Sequence, residues 1–75
     1  MSDVRRFTAM IYGEGEGYVA LCPELDVASQ GGTVEEAYAN LREAVELFLE
    51  TAAPSEIEGR MKGDMFVTAL EVTAG

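Results

Sequence analysis

Tyr18-Val19-Ala20-Leu21-Cys22-Pro23-Glu24-Leu25-Asp26-Val27-Ala28-Ser29-Gln30-Gly31-Gly32-Thr33-Val34-Glu35-Glu36-Ala37 changes its hydrophobic period part-way along. Up to Cys22 the pattern alternates, with Val19 and Leu21 opposite Tyr18, Ala20 and Cys22, which is the period of a strand. Pro23 has no N–H to give a ladder and stops that strand. Val27-Ala28-Ser29-Gln30 returns as a short third strand before Gly31-Gly32 breaks it. Thr33 then stands as a helix N-cap, with Glu36 placed three residues on to close a capping box.

Working outward, Val4 to Tyr12 sets Phe7, Ala9 and Ile11 on one face and Arg6, Thr8, Met10 and Tyr12 on the other, a first strand. Gly13-Glu14-Gly15-Glu16-Gly17 supplies the turn that makes the two strands a hairpin. After Thr33, the residues Val34, Ala37, Tyr38, Leu41, Val45, Phe48 and Leu49 recur at three- and four-residue steps as one apolar stripe. Glu35, Asn40, Glu43, Glu46 and Glu50 lie away from it, and Leu47 is a lone apolar residue off the stripe. Pro54 ends the helix, and the chain through Gly63-Asp64 reads as a connection. Met65 to Thr73 alternates again, with Phe66, Thr68, Leu70 and Val72 against Met65, Val67, Ala69 and Glu71, a final strand. The expected fold is α+β in the order β-β-β-α-β, an antiparallel sheet with one helix packed on one face, and residues 1–75 form a single domain.

Both faces of these strands hold apolar side chains, and one helix covers only one of them. Met10, Tyr12, Tyr18 and Met65 or their neighbours are expected on the uncovered face, so a homodimer that packs sheet faces or edges is expected. Size points the same way, because a 75-residue chain buries only about 60% of its unfolded surface.

Charge and composition exclude several functions. Fourteen acidic against five basic residues leave a formal net charge of −9, which repels a phosphate backbone and favours a basic protein partner. There is no His, which removes imidazole acid–base and metal chemistry, and Cys22 is the lone thiol, which removes an internal disulfide or a multi-cysteine zinc site. Neither an apolar h-region after Met1 nor an uninterrupted apolar run of membrane-spanning length is present, so a cytoplasmic protein with no membrane association is expected.

The remaining candidates for chemistry are few. Glu14, Glu16, Glu24 and Asp26 offer oxygens to a hard cation, but their spacing matches no EF-hand loop and reads as a solvated acidic surface. Gly13-x-Gly15-x-Gly17 resembles half of a phosphate loop, yet it holds two glutamates and no helix follows it. Cys22 has no base to activate it and reads as a half-buried apolar residue, and Ser29 and Ser55 lack a base in the same way. Arg5, Arg6, Arg60 and Lys62 are too few among the carboxylates for more than a weak basic patch. No catalytic, cofactor-binding or metal-binding residue is therefore assigned, and no cofactor is expected.

Four consecutive features carry a family resemblance: Pro23-Glu24-Leu25 at a strand end, the turn Ser29-Gln30-Gly31, the helix start Thr33-Val34-Glu35-Glu36-Ala37, and the helix body Asn40-Leu41-Arg42-Glu43-Ala44. Together they resemble the HicB family of antitoxins over more than half of the chain. The resemblance implies a partly degraded RNase H-like domain that binds and occludes a small, basic, RNA-cleaving toxin of the HicA type. Two departures qualify it. Asp26-Val27 stands where members commonly carry Pro-Gly, and no helix-turn-helix or ribbon-helix-helix segment follows before Gly75, so operator binding is not carried over. RNase H chemistry needs a carboxylate on the first strand, and Phe7 through Tyr12 contain none, so a non-enzymatic protein is expected. The expected function is thus an antitoxin-like domain of a toxin–antitoxin system that neutralises a basic HicA-like toxin. The alternatives are an orphan protein-interaction module without a toxin partner and, more distantly, a residual metal-dependent hydrolase.

Overall fold

In the computed structural model, which describes residues 5–61, 63 and 65–75, three strands form one antiparallel sheet. They are β1 (Met10–Glu14), β2 (Gly17–Cys22) and β3 (Val27–Gly31), in the spatial order β1-β2-β3. Glu14 pairs with Gly17, so the hairpin loop is only Gly15-Glu16, and Gly15 takes φ 61°. A positive φ at the first residue of a two-residue loop matches the twist of the strands and is open to glycine without steric cost. Gly13, Glu14 and Gly17, which the sequence places in the turn, are strand residues.

The register assigns the faces. Met10 lies opposite Leu21, and Leu21 opposite Ala28; Ile11 lies opposite Ala20, and Ala20 opposite Ser29. Ala20 and Cys22 are buried against the helix, so Ile11 and Val27 share their side, while Met10, Tyr12, Val19, Leu21 and Ala28 form the outer face. Tyr18 has the parity of Ala20 and Cys22, so it belongs to the helix side of the sheet, and Val19 and Leu21 take the outer position expected for it. The first strand is shorter than its alternation. Phe7 and Ile11 do pack against the core, but ladder pairing begins only at Met10. Val4, where the alternation starts, lies outside the described residues.

Helix α1 (Val34–Thr51) begins at Thr33, whose hydroxyl oxygen accepts from the Glu36 N–H at 3.0 Å. The Glu36 carboxylate reaches back one residue further than a capping box requires and accepts from the Gly32 N–H at 3.2 Å. Ala37 and Leu41 from the stripe are buried with Ala20, Cys22 and Leu25, and Val45, Phe48 and Leu49 pack around them. The helix start presses close to the sheet: a Cβ built on Gly31 would come within 2.5 Å of the Ala37 backbone nitrogen. On the same side, the Asn40 amide donates to the Gln30 carbonyl at 2.8 Å. Small residues at the crossing let helix and strand approach, and polar groups beside it lock the position.

Two segments differ from the sequence reading. Pro54–Arg60, which the sequence places in a connection, is a short helix, α2. Proline at its first turn is compatible with a helix start because the N–H there has no intrahelical partner, and Arg60 closes an i,i+4 pair with Glu56 at 3.4 Å. Met65–Thr73, expected as the final strand of β-β-β-α-β, pairs with none of β1–β3; residues 65–75 lie outside the sheet and are exposed. Alternation prepares a segment to be a strand, but a ladder needs an edge to pair with, and within the single chain this segment meets none. The class remains α+β, three antiparallel strands followed by a helix on one face.

Gly31→Ala is expected to lower stability by about 1–3 kcal/mol because backbone atoms, which have no room to move, occupy the site of the new methyl group. Gly32→Ala, whose nearest neighbour is the movable end of Glu36 at 3.6 Å, is expected to cost well under half as much. Urea unfolding of both variants checks the contrast.

Candidate interaction surface

Past the end of β2, the chain turns through a segment held by polar contacts. The Thr8 N–H donates to Glu24 Oε2 at 2.8 Å, and the Cys22 thiol donates to Glu24 Oε1 at 3.7 Å. Burial works against ionisation of Glu24, but the hydrogen bonds from Thr8, from its own backbone N–H and from Cys22 outweigh it and hold the carboxyl below its ordinary range. Burial, joined by the adjacent Glu24 charge, pushes the Cys22 thiol up. Cys22 is thus a protonated core residue, as its sequence context implies.

Arg60 closes this end of the molecule. Its guanidinium donates to the carbonyl of buried Leu25, pairs with Glu56, and stands 4.6 Å from the centre of the Phe48 ring. A planar cation that stacks and donates at once suits this place better than lysine would. The residue after Leu25, Asp26, takes φ 55°, a left-handed conformation that aspartate tolerates better than most side chains. Nothing in local sequence patterning links residues 25 and 60.

Three surfaces flank this core. The first is a groove of about 580 Å³ between the segment leading into β1 and one side of α1, lined by Phe7, Ala9, Cys22, Tyr38, Leu41 and Val45, with Arg5, Arg6 and Arg42 at its rim. It exists because α1 lies along β3 and β2 and overlaps β1 only at its margin. The second is the outer sheet face of Met10, Tyr12, Val19, Leu21 and Ala28. The third is the solvent side of α1, where Glu35, Glu43, Glu46 and Glu50 are exposed. Among the described residues only Glu46 of these four has an ion-pair partner, Arg42 at 3.8 Å, and that pair is well solvated. Leu47 is also exposed beside this face.

The structure separates residues that the sequence groups. Glu14 and Glu16 sit at the hairpin, whereas Glu24 and Asp26 lie past the other end of β2 and Glu24 is occupied with Thr8 and Cys22. Among the described residues no group of three or more metal-capable side chains comes together. The four cations considered as a patch are divided as well. Arg5 and Arg6 border the groove, Arg60 turns inward onto Leu25 and Phe48, and Lys62 lies outside the described residues. The groove itself is not legible in the sequence, since it is formed by what the helix leaves uncovered. The only signal is the pairing of Phe7 with an alternating strand that begins before the ladder does.

Among the described residues no helix is long and apolar enough to cross a membrane. Fold, charge and surfaces together define a small acidic α+β protein with an apolar sheet face and a glutamate-rich helix face. A UPF0150 protein from Synechocystis sp. (strain ATCC 27184 / PCC 6803 / Kazusa) is 37% identical to it over 72 residues, which cover 93% of this chain and 90% of that relative. The chain belongs to the UPF0150 family. No family model matches it, and no solved structure matches it.

Glu24→Gln is expected to lower stability at neutral pH by no more than about 1 kcal/mol, since the carboxyl is only half-buried. Because its folded-state value is lowered, its contribution is complete above the ordinary carboxylate range and is lost as pH falls through the lowered value. Unfolding curves of the two proteins should therefore converge in acid. The Cys22 thiol of the folded protein is expected to react with an aromatic disulfide reagent only as fast as the protein opens, and at once in denaturant.

Proposed function

We propose that this protein is a HicB-like antitoxin domain that binds and neutralises a small, basic, RNA-cleaving toxin of the HicA type, and that it has no catalytic activity of its own. The observation carrying this reading is the solvent side of α1. Four glutamates stand on it in a protein of net charge −9, and Glu35, Glu43 and Glu50 make no ion pair among the described residues. A protein that grips RNA must present cations to phosphate, and a row of carboxylates competes for those cations. Attraction of this kind speeds the encounter, while the apolar outer face and exposed Leu47 offer area that holds a partner once it arrives. The likeness of Pro23–Leu25, Ser29–Gly31 and the α1 start to HicB proteins supports the same reading.

Titration of the protein into an RNA-cleavage reaction run by a HicA-type toxin, taken first from the neighbouring reading frame, is the direct test. Cleavage should fall in proportion to the protein added, with association slowing as salt rises. Replacing Glu43, Glu46 and Glu50 together by Gln should slow association by about 10-fold while leaving the fold intact. Undiminished cleavage with the protein in excess would refute the antitoxin reading.

A further inference from the structure

The segment after α2 has the pattern of a strand and the exposure of a segment without a sheet. Phe66, Leu70 and Val72 occupy alternate positions on one face and are 87%, 86% and 76% exposed. On the other face Val67 is exposed too. Surface apolar residues are ordinary when scattered, but four within seven positions at strand spacing form a continuous apolar ribbon. The chain is correspondingly drawn out: its radius of gyration is 14.6 Å, against about 11 Å for a compact chain of this length.

The same molecule carries a receptor for such a ribbon. Among the described residues β1 is an edge strand, paired with β2 alone, and its far side offers backbone groups without a ladder partner. Beside residues 5–9, which lead into that strand, runs the groove lined by Phe7, Ala9, Tyr38, Leu41 and Val45, a part of the helix-covered layer that α1 does not fill. A strand added along β1 would set one of its faces into this groove and continue the outer sheet face with the other. The tail's two faces suit those two places. Phe66, Leu70 and Val72 would enter the groove, with Thr68 between them, while Met65, Val67 and Ala69 would extend the apolar outer face of Met10 and Tyr12.

We propose that residues 65–73 of one chain add as a fourth strand to the β1 edge of a second copy, reciprocally, so that two chains exchange their C-terminal segments. The occupant is a second copy because the tail lies outside its own sheet and does not line its own groove, and because donor and receptor on one chain give a self-complementary pair. Exchange covers both edge strand and ribbon, the two features that an isolated chain of this size leaves exposed. Exchange of this kind needs no toxin.

Sedimentation equilibrium of the full chain should show a dimer at micromolar concentration. Phe66→Asp/Leu70→Asp alters only exposed residues of the single chain, so its helical circular dichroism should be retained while the dimer's dissociation constant rises by about 100-fold or more. In a mixture of isotope-labelled and unlabelled chains, filtered NOEs should connect Leu70 and Val72 of one chain with Phe7 and Tyr38 of the other. A monomer at these concentrations, a dimer indifferent to the double substitution, or tail contacts found only within one chain or between the two tails would each overturn the proposal.

Discussion

The seat of α1 on the sheet is the constraint on which the rest of the structure depends. Gly31 ends β3 without a side chain, and the backbone at Glu36 and Ala37 occupies the space that one would fill. Ala20 and Ala37 are buried at the same crossing. With so little volume between the layers, the helix is drawn toward the β2–β3 side, and the cap at Thr33 and the amide of Asn40 hold it there. Close packing of that kind is directional, since it decides both what the helix covers and what it leaves bare. The groove beside the residues that lead into β1 is the direct result. An uncovered strip follows wherever one helix serves a three-stranded sheet and is seated off its centre.

Charge and packing act on different parts of this molecule. No charged side chain is buried among the described residues, so the fold rests on a small apolar core and on caps. The acidic excess is carried by the surface, where it repels anions and contributes little to stability. Arg60 is the cation most engaged with the interior, through the Leu25 carbonyl and the Phe48 ring. That division lets the helix surface carry a strong negative field without disturbing the layer beneath it.

Local chemistry was legible in the sequence wherever neighbours in sequence are neighbours in space. The alternation of Tyr18–Cys22, the break at Pro23, the cap at Thr33 and the stripe through Ala37 and Leu41 all stand where their periods place them, because each depends on contacts a few residues apart. What could not be read depends on distance along the chain. Leu25 meets Arg60 across 35 positions, and no period records that meeting. That Val19 and not its neighbour Tyr18 shares the outer face with Tyr12 depends on register, which the hairpin loop sets: closure at Gly15-Glu16 fixes which residues stand opposite each other. Met65–Thr73 shows the opposite limit. Its alternation states what the segment is able to form and is silent about what it pairs with. Of the interaction surface, the glutamates of α1 were visible as a face of a helix, whereas the groove arises from packing between separate elements.

The Arg60 clasp has a mechanical meaning. Helix α2 buries no residue of its own, and its best anchored point is a guanidinium bound to a carbonyl and a ring at the far end of the core. A short rigid arm pinned near its tip behaves as a pivot: the pin sets the heading of whatever is attached beyond it while contributing little to the body behind. Arg60 therefore ties the chain to the core five residues before Met65, and the exposed residues 65–75 can vary between relatives, or under selection, without any change in that core.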